Sequence, residues 1–353
     1  MKKLFIVTIN SLILLIIINF IIVFFPEKII KKKYINEKLI SYLGLLYHVY
    51  YTDTFNRNLN EIESYSVIVG DSYALGSGEN KKNDGIAYYF KKNNPKKDFF
   101  QIGYPAGPYD FQEKILNKIV KKIEKKPEKI FLFVYEGNDF YDELSYGLKK
   151  NDEIFLKKFK LNIYNYLPIF AYPLERTYNK IFFPALKKQS SESKDILNEI
   201  IIDKEKIKIK HVIQNACSSL QEEQKKAFRI TFTNYLSIIN FKYPEVKKIL
   251  VYIPSPASLY NYEKKIYSKN YLNNNLEVFS KTENFNCHKN LVEFVSKTVT
   301  DLKFDNLFFF NTTPHLQKIT KNELLHGLKD FNHFNTNGYK NFAEILLSLE
   351  RVF

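Results

Sequence analysis

Four residues in this sequence could together carry out acyl transfer. Ser72 lies in Val67-Ile68-Val69-Gly70-Asp71-Ser72-Tyr73, where an apolar run ends in a turn. A serine hydroxyl is a weak nucleophile until a neighbouring base takes its proton. His333 supplies such a base, with Asp330 three residues before it. In a loop or a first helical turn, that spacing lets the carboxylate reach the Nδ1 side of the imidazole while Nε2 faces Ser72. The carboxylate then fixes the tautomer and stabilises the imidazolium formed during attack. Asn138, in Gly137-Asn138-Asp139, can donate an amide hydrogen bond to a developing oxyanion without bringing charge, and the Ser72 backbone N–H is a second donor. Each fragment also has a plain structural reading. Asp71 or Ser72 can cap a helix, and Gly-Asn-Asp is a common turn.

Positioning these residues requires a sheet whose strand ends carry them. Tyr65 to Gly70, Phe99 to Ile102, Lys129 to Tyr135, Lys248 to Ile253 and Asn306 to Asn311 are short runs, apolar on both faces. Such runs are expected of a parallel sheet covered by helices. Between them, residues 109–125 place Phe111, Ile115, Ile119 and Ile123 at helical period, ended by Pro127. Leu291 to Leu302 reads as a further helix. Thr336 to Leu349 reads as the last, burying Phe342, Ile345, Leu346 and Leu349. The alternation implies a doubly wound α/β sandwich. The expected fold class is a flavodoxin-like three-layer α/β/α sandwich around a mainly parallel five-stranded sheet, preceded by one N-terminal transmembrane helix. Residues 141–220, Lys-rich and aromatic-rich, and 256–284, rich in Tyr and Asn, read as insertions over the strand ends.

The chain has 353 residues, enough for one large α/β domain, and 45% of them are hydrophobic. Its formal net charge of +15 would suit an anionic partner. However, Lys, Asn, Ile, Phe and Tyr are all abundant while Trp is absent, a bias typical of AT-rich coding. No helix-turn-helix, zinc finger or RNP-like motif accompanies the charge, so no nucleic-acid partner is expected. Anionic lipid headgroups or an acidic glycan fit it better.

Residues 4–25 are apolar apart from Thr8, Asn10, Ser11 and Asn19, long enough to cross a bilayer core of roughly 30 Å. No small-residue cleavage site follows, so an uncleaved anchor is expected. Lys2 and Lys3 precede the span while Lys28, Lys31, Lys32 and Lys33 follow it, so the charge rule points both ways. An anchor at 1–25, a juxtamembrane segment at 26–60 and a catalytic domain at 61–353, outside the cytoplasm, are expected. Leu39 to Tyr51 reads as a short amphipathic helix in that segment. Cys217 and Cys287 are the only cysteines; they form one disulfide if that half is exported, or remain two buried thiols. Of the other histidines, His48 reads as packed, and His211, His288, His315 and His326 as solvated in polar loops. The Cys287-His288 pair has no second pair to complete a zinc site.

The blocks Gly70-Asp71-Ser72, Gly137-Asn138-Asp139 and Asp330 to His333 resemble those of the SGNH (GDSL-type) hydrolase superfamily, with Tyr73 where Leu is often found. The resemblance covers residues 65–140 and 248–350. It implies Ser72 as nucleophile, His333 as base and Asp330 as its orienting partner. It implies an oxyanion hole of the Ser72 N–H, Asn138 and a backbone N–H from the block Gln101 to Gly107. Gly107 fits that block best, and simple counting from Ser72 reaches Ala106. No metal or organic cofactor is implied. The chemistry implied is ester hydrolysis through an acyl-enzyme, the substrate an acyl ester, O-acetyl being the expected form, on an envelope glycan or lipid. The same site could serve an O-acyltransferase of envelope polysaccharide, and the fold could persist in a silent membrane-tethered scaffold.

Overall fold

The structure is a computed structural model, and it describes residues 7, 9–18, 62–76, 85–95, 97–103, 109–140, 198–217, 222–269, 276–328 and 330–353. The chain divides into two units, residues 1–56 with 149–193 and residues 57–148 with 194–353. Every element labelled below belongs to the second.

In chain order that unit begins with β1 (Tyr65–Gly70), α1 (Ser72–Leu75), α2 (Ile86–Asn93), β2 (Asp98–Gly103), α3 (Tyr109–Ile123) and β3 (Lys129–Tyr135). Next come β4 (Asn198–Ile202), β5 (Glu205–Ile209), β6 (Ile213–Gln214), α4 (Glu222–Lys242) and β7 (Lys247–Ile253). Then follow α5 (Pro256–Leu259), β8 (Asn261–Tyr262), β9 (Ile266–Lys269) and β10 (Leu276–Phe279). The chain closes with α6 (Lys281–Asp301), β11 (Leu307–Asn311), α7 (Thr313–Ile319) and α8 (Thr336–Val352).

The five apolar runs read from the sequence form one sheet of order β11-β7-β3-β1-β2, parallel throughout. Strands β1 and β2 are buried at every position, and β3 and β7 at every position but the first. This is what unbroken Val/Ile/Leu/Phe runs require when helices cover both faces. One face presents Ile68, Phe131, Phe133, Ile249 and Val251 to α2 and α8, with Phe133 edge-on to Phe342 at 5.4 Å between ring centroids. Side chains alternate along a strand. The opposite face therefore carries Val67, Val69, Ile130, Leu132 and Leu250, on the side of α3, α4 and α6. There Tyr109 stacks on Tyr235 at 4.7 Å. Strand β11, at the sheet edge with only β7 beside it, is half-buried along its length.

Chain order reverses between β1 and β3. Within this sheet β2 lies on one side of β1, and β3, β7 and β11 lie on the other. In open α/β sheets the crevice beyond the carboxyl ends of the strands at such a point is where sites form. Ser72 follows β1, and Asn138 follows β3.

The expected insertions carry regular structure. Residues 198–209 form a β4–β5 hairpin whose turn, Asp203-Lys204, has φ of 47° and 67°, the paired left-handed residues of a primed turn. Strand β8 adds to this hairpin, and β10-β9-β6 make a second small sheet. Residues 141–197 lie outside the described residues. Helix α6 begins at Lys281, ten residues before the expected Leu291. Ser280 and Glu283 close a capping box there, the Glu283 N–H donating to Ser280 Oγ (3.2 Å) and the Ser280 N–H to Glu283 Oε2 (2.7 Å). The long α4 had no counterpart in the sequence reading. Cys217 and Cys287 are bonded, with Cα atoms 5.7 Å apart, which joins the 198–217 region to α6.

Of the expected membrane span, residues 9–18 are helical and their apolar side chains, with Val7, are exposed. Among the described residues no helix is long and apolar enough to cross a membrane. The rest of the span and the 26–60 segment, with its expected helix and His48, lie outside the described residues.

Candidate active site

The turn after β1 comes unusually close to β3. A Cβ on Gly70 would lie 2.7 Å from the Phe133 Cβ and 3.1 Å from that of Ala74. Glycine is what lets the chain leave the strand there. Asp71 then caps α1, its Oδ1 accepting the Tyr73 N–H at 2.9 Å. Capping by Asp71 and presentation of Ser72 are thus two consequences of one turn. Ser72, the first residue of α1, is only 7% exposed.

Ahead of α8, residues 324–328 and 330–335 form a loop held at both ends. Asn335 caps the helix, accepting the Gly338 N–H at 2.8 Å, and donates through Nδ2 to the carbonyls of Leu324 and His326. A Cβ on Gly338 would collide with the Leu325 carbonyl. Within this loop His333 Nδ1 lies 2.6 Å from Asp330 Oδ2, and His333 Nε2 lies 2.9 Å from Ser72 Oγ. The sequence residues Ser72, His333 and Asp330 therefore meet across 261 positions of chain. Nδ1 faces the carboxylate and Nε2 the hydroxyl, the arrangement in which the imidazole can receive the serine proton.

Asp330 is half-buried. Burial would raise its pKa, but the hydrogen bond and charge of His333, the Asn332 N–H and His211 hold it below its ordinary value. A second carboxylate also touches this hydroxyl: Ser72 Oγ donates to Asp71 Oδ2 at 3.1 Å. Burial raises the Asp71 pKa, although the Tyr73 and Ser72 N–H groups, the His333 charge and the Ser72 hydroxyl all pull the other way. The hydroxyl has one proton and two acceptors, and His333 is the nearer.

Asn138 is buried in the turn just past β3. Val69 and Leu132 are register partners, so β1 ends at Gly70 beside Phe133 while β3 runs two residues further, to Tyr135. Two features shape the turn. The Tyr135 N–H donates back to Asp139 Oδ2 at 2.7 Å, and a Cβ on Gly137 would lie 2.2 Å from the Tyr135 ring. Gly107 and Ala106 lie outside the described residues, beyond Gly103 at the end of β2.

Beneath the Asn138 turn is a polar cluster that the sequence did not reveal. Glu136 is fully buried and accepts from Tyr252 (2.9 Å), Ser255 (3.2 Å) and Ser258 (2.5 Å), with His288 Nδ1 at 2.6 Å. His288, expected in a solvated loop, is buried on α6, next to the disulfide. Burial opposes charge on this pair. The mutual attraction nevertheless leaves Glu136 below and His288 above their ordinary pKa values. His326, also expected to be solvated, is fully buried. His315 is exposed on α7 and His211 is half-buried.

The 198–217 region touches both halves of the site. The Gln214 N–H donates to Asn332 Oδ1 at 2.7 Å, Asn332 Nδ2 donates to the Val212 carbonyl, and the Ala216 N–H donates to the Glu136 carbonyl. Asn332 precedes His333, and no spacing in the sequence pointed to it.

No protein-family model matches the sequence, and no curated protein does. Solved structures similar to this one include the lipase/acylhydrolase from Enterococcus faecalis, at 13% identity and a TM-score of 0.39, covering 81% of this chain and 94% of that one. An acetyl xylan esterase from Butyrivibrio proteoclasticus is 10% identical with a TM-score of 0.37, covering 84% of this chain and 65% of that one. A catalytic mutant of an acetylxylan esterase from Geobacillus stearothermophilus is 10% identical with a TM-score of 0.37, covering 81% and 94%. At such values, activity has to be read from the site itself.

Proposed function

We propose that this chain is a serine esterase of the SGNH type, hydrolysing an acyl ester through a covalent acyl-enzyme. The observation that carries the reading is the run of contacts from Asp330 through His333 to Ser72, at 2.6 Å and 2.9 Å. Ser72 Oγ attacks the ester carbonyl carbon while its proton passes to His333 Nε2. Asp330 stabilises the imidazolium that results. Negative charge on the carbonyl oxygen is met by the Ser72 N–H and Asn138, with Gly107 as the third donor. His333 then returns the proton to the leaving alcohol, the carbon–oxygen bond breaks, and the acyl group stays on Ser72. Water, activated by His333, attacks that acyl group and releases the acid.

Residues 4–25 anchor the protein in a membrane in this reading, with the catalytic unit outside the cytoplasm. The paired cysteines support an oxidising compartment. An anchored, strongly basic esterase suits a substrate held in the envelope, an acylated glycan or lipid.

The test is turnover of p-nitrophenyl acetate by the full-length chain in detergent, beside Ser72→Ala and His333→Ala. Loss of activity in both variants is expected. Equal rates in all three folded proteins would sink the proposal.

A further inference from the structure

Tyr73 follows the nucleophile, and Asn332 precedes the base. The Tyr73 hydroxyl donates to the Asn332 carbonyl at 2.6 Å, beside the 2.9 Å contact of Ser72 with His333. Two adjacent cross-links therefore span one gap, and only one of them takes part in proton transfer. We propose that Tyr73, held by a chain through His326 and Tyr260, is a positioning residue that sets the approach of His333 to Ser72. This inference rests on the serine-esterase reading above.

The chain has a definite polarity. A hydroxyl has one proton, and that of Tyr73 goes to a carbonyl, which can only accept. Its contact with His326 Nε2, at 3.3 Å, must then be one in which the ring donates. That assigns the Nε2–H tautomer to His326, so Nδ1 accepts from the Tyr260 hydroxyl at 2.7 Å. The Tyr260 oxygen in turn accepts the Leu325 N–H at 3.0 Å. Donors thus run one way from Leu325 through Tyr260, His326 and Tyr73 to Asn332, and aligned bonds of this kind strengthen one another. Tyr73, His326 and Tyr260 are all buried.

A neutral His326 suits this place. Burial, aided by the nearby His333, pushes its pKa down to about 3 against the pull of Asp330. During attack His333 gains a positive charge, and a cation beneath it would oppose that step. The His326 ring supplies a donor and an acceptor without charge. On the open side of the loop Asp330, Asn332 and His333 are half-buried; Asn332 is also held by residues 212–214, and its carbonyl takes a second, longer donation from the Tyr135 hydroxyl at 3.3 Å. A displacement on the order of 1 Å between reacting groups can cost about 100-fold in rate.

Tyr73→Phe keeps the ring against Tyr135 (4.3 Å) and Phe334 (4.9 Å) and removes only the hydroxyl. With the full-length protein and a small fluorophosphonate that labels active serines, Ser72 in this variant should react about tenfold more slowly per folded molecule. The kcat for p-nitrophenyl acetate should fall by a similar factor with KM little changed. Tyr260→Phe, at the far end of the chain, should act in the same direction. The double variant should lose little more than either alone, as coupled members of one network do. Should Tyr73→Phe fail to fold, Tyr260→Phe gives the same readout. Labelling of both single variants at the wild-type rate, or losses that multiply in the double variant, would overturn the proposal. Absence of Ser72 labelling in the wild type would remove the esterase reading itself, and this inference with it.

Discussion

Glu136 and His288 stand 152 positions apart in the chain, yet His288 Nδ1 lies 2.6 Å from Glu136 Oε2, both buried, two residues upstream of Asn138. Because Glu136 continues directly into Gly137 and Asn138, whatever fixes its carboxylate also fixes the turn that presents the amide. Removing one partner of a buried pair leaves the other charge uncompensated, at a typical cost of roughly 3–5 kcal/mol. His288→Ala should therefore lower the unfolding free energy by about that amount in chemical denaturation. Tyr252, Ser255 and Ser258 remain as neutral donors to Glu136.

The same pair sets a pH window. Glu136 has a folded pKa below its ordinary 4.5, so its contribution is present above that value and lost as pH falls through the lowered one. His288 has a folded pKa above its ordinary 6.5, so its contribution is complete below that value and lost as pH rises through the raised one. The pair contributes most between about 4.5 and 6.5. Thermal midpoints of the wild type should fall on the alkaline side of this window, and His288→Gln should flatten that fall. An unchanged alkaline slope in the variant would remove the pair as its cause.

Much of the site was legible because its residue types sit at strand ends in recognisable fragments. Ser72 behind Val67 to Gly70, Asn138 behind the strand from Lys129, and the Asp330–His333 spacing each imply their chemistry locally. What escaped was whatever depends on a distant partner. His288 lies among polar residues along the chain and His326 beside Leu324, Leu325 and Leu328, and only folding brings Glu136 to one and Tyr73 and Tyr260 to the other. The start of α6 was hidden for a different reason. Thr282 to Asn290 is largely polar, because this part of the helix is mostly exposed, and the Ser280–Glu283 capping box was the signal that marked it.

Asn138→Ala should lower kcat by about 100- to 1000-fold, corresponding to about 2.7–4 kcal/mol of lost oxyanion stabilisation, with KM nearly unchanged. Steady-state kinetics on p-nitrophenyl acetate measures this. A change confined to KM would place Asn138 in substrate binding instead.

Gly137→Ala should reduce activity nearly as much without touching any reacting group. The added Cβ would meet the Tyr135 ring at 2.2 Å, so the turn carrying Asn138 must shift. At Gly85 an added Cβ meets only the Gln101 side chain at 3.5 Å, and Gly85→Ala should keep its activity. Comparison of kcat for the two variants checks this.

Opening the Cys217–Cys287 bond should destabilise the fold by roughly 4 kcal/mol, the chain-entropy value for a closed loop spanning 70 positions. Activity should fall with it, because residues 212–216 between them hold Asn332 and the Glu136 carbonyl. Unfolding midpoints and kcat with and without reductant, set beside the double Cys217→Ser, Cys287→Ser variant, give both numbers.

The most direct test of nucleophilic catalysis is to catch the acyl group on its residue. Full-length protein mixed with p-nitrophenyl acetate and quenched in acid before steady state should carry one acetyl group, located by mass spectrometry on Ser72. None should form in Ser72→Ala or His333→Ala. An acetyl group on another residue, with Ser72 unmodified while p-nitrophenol is released in a burst, would contradict Ser72 as the nucleophile.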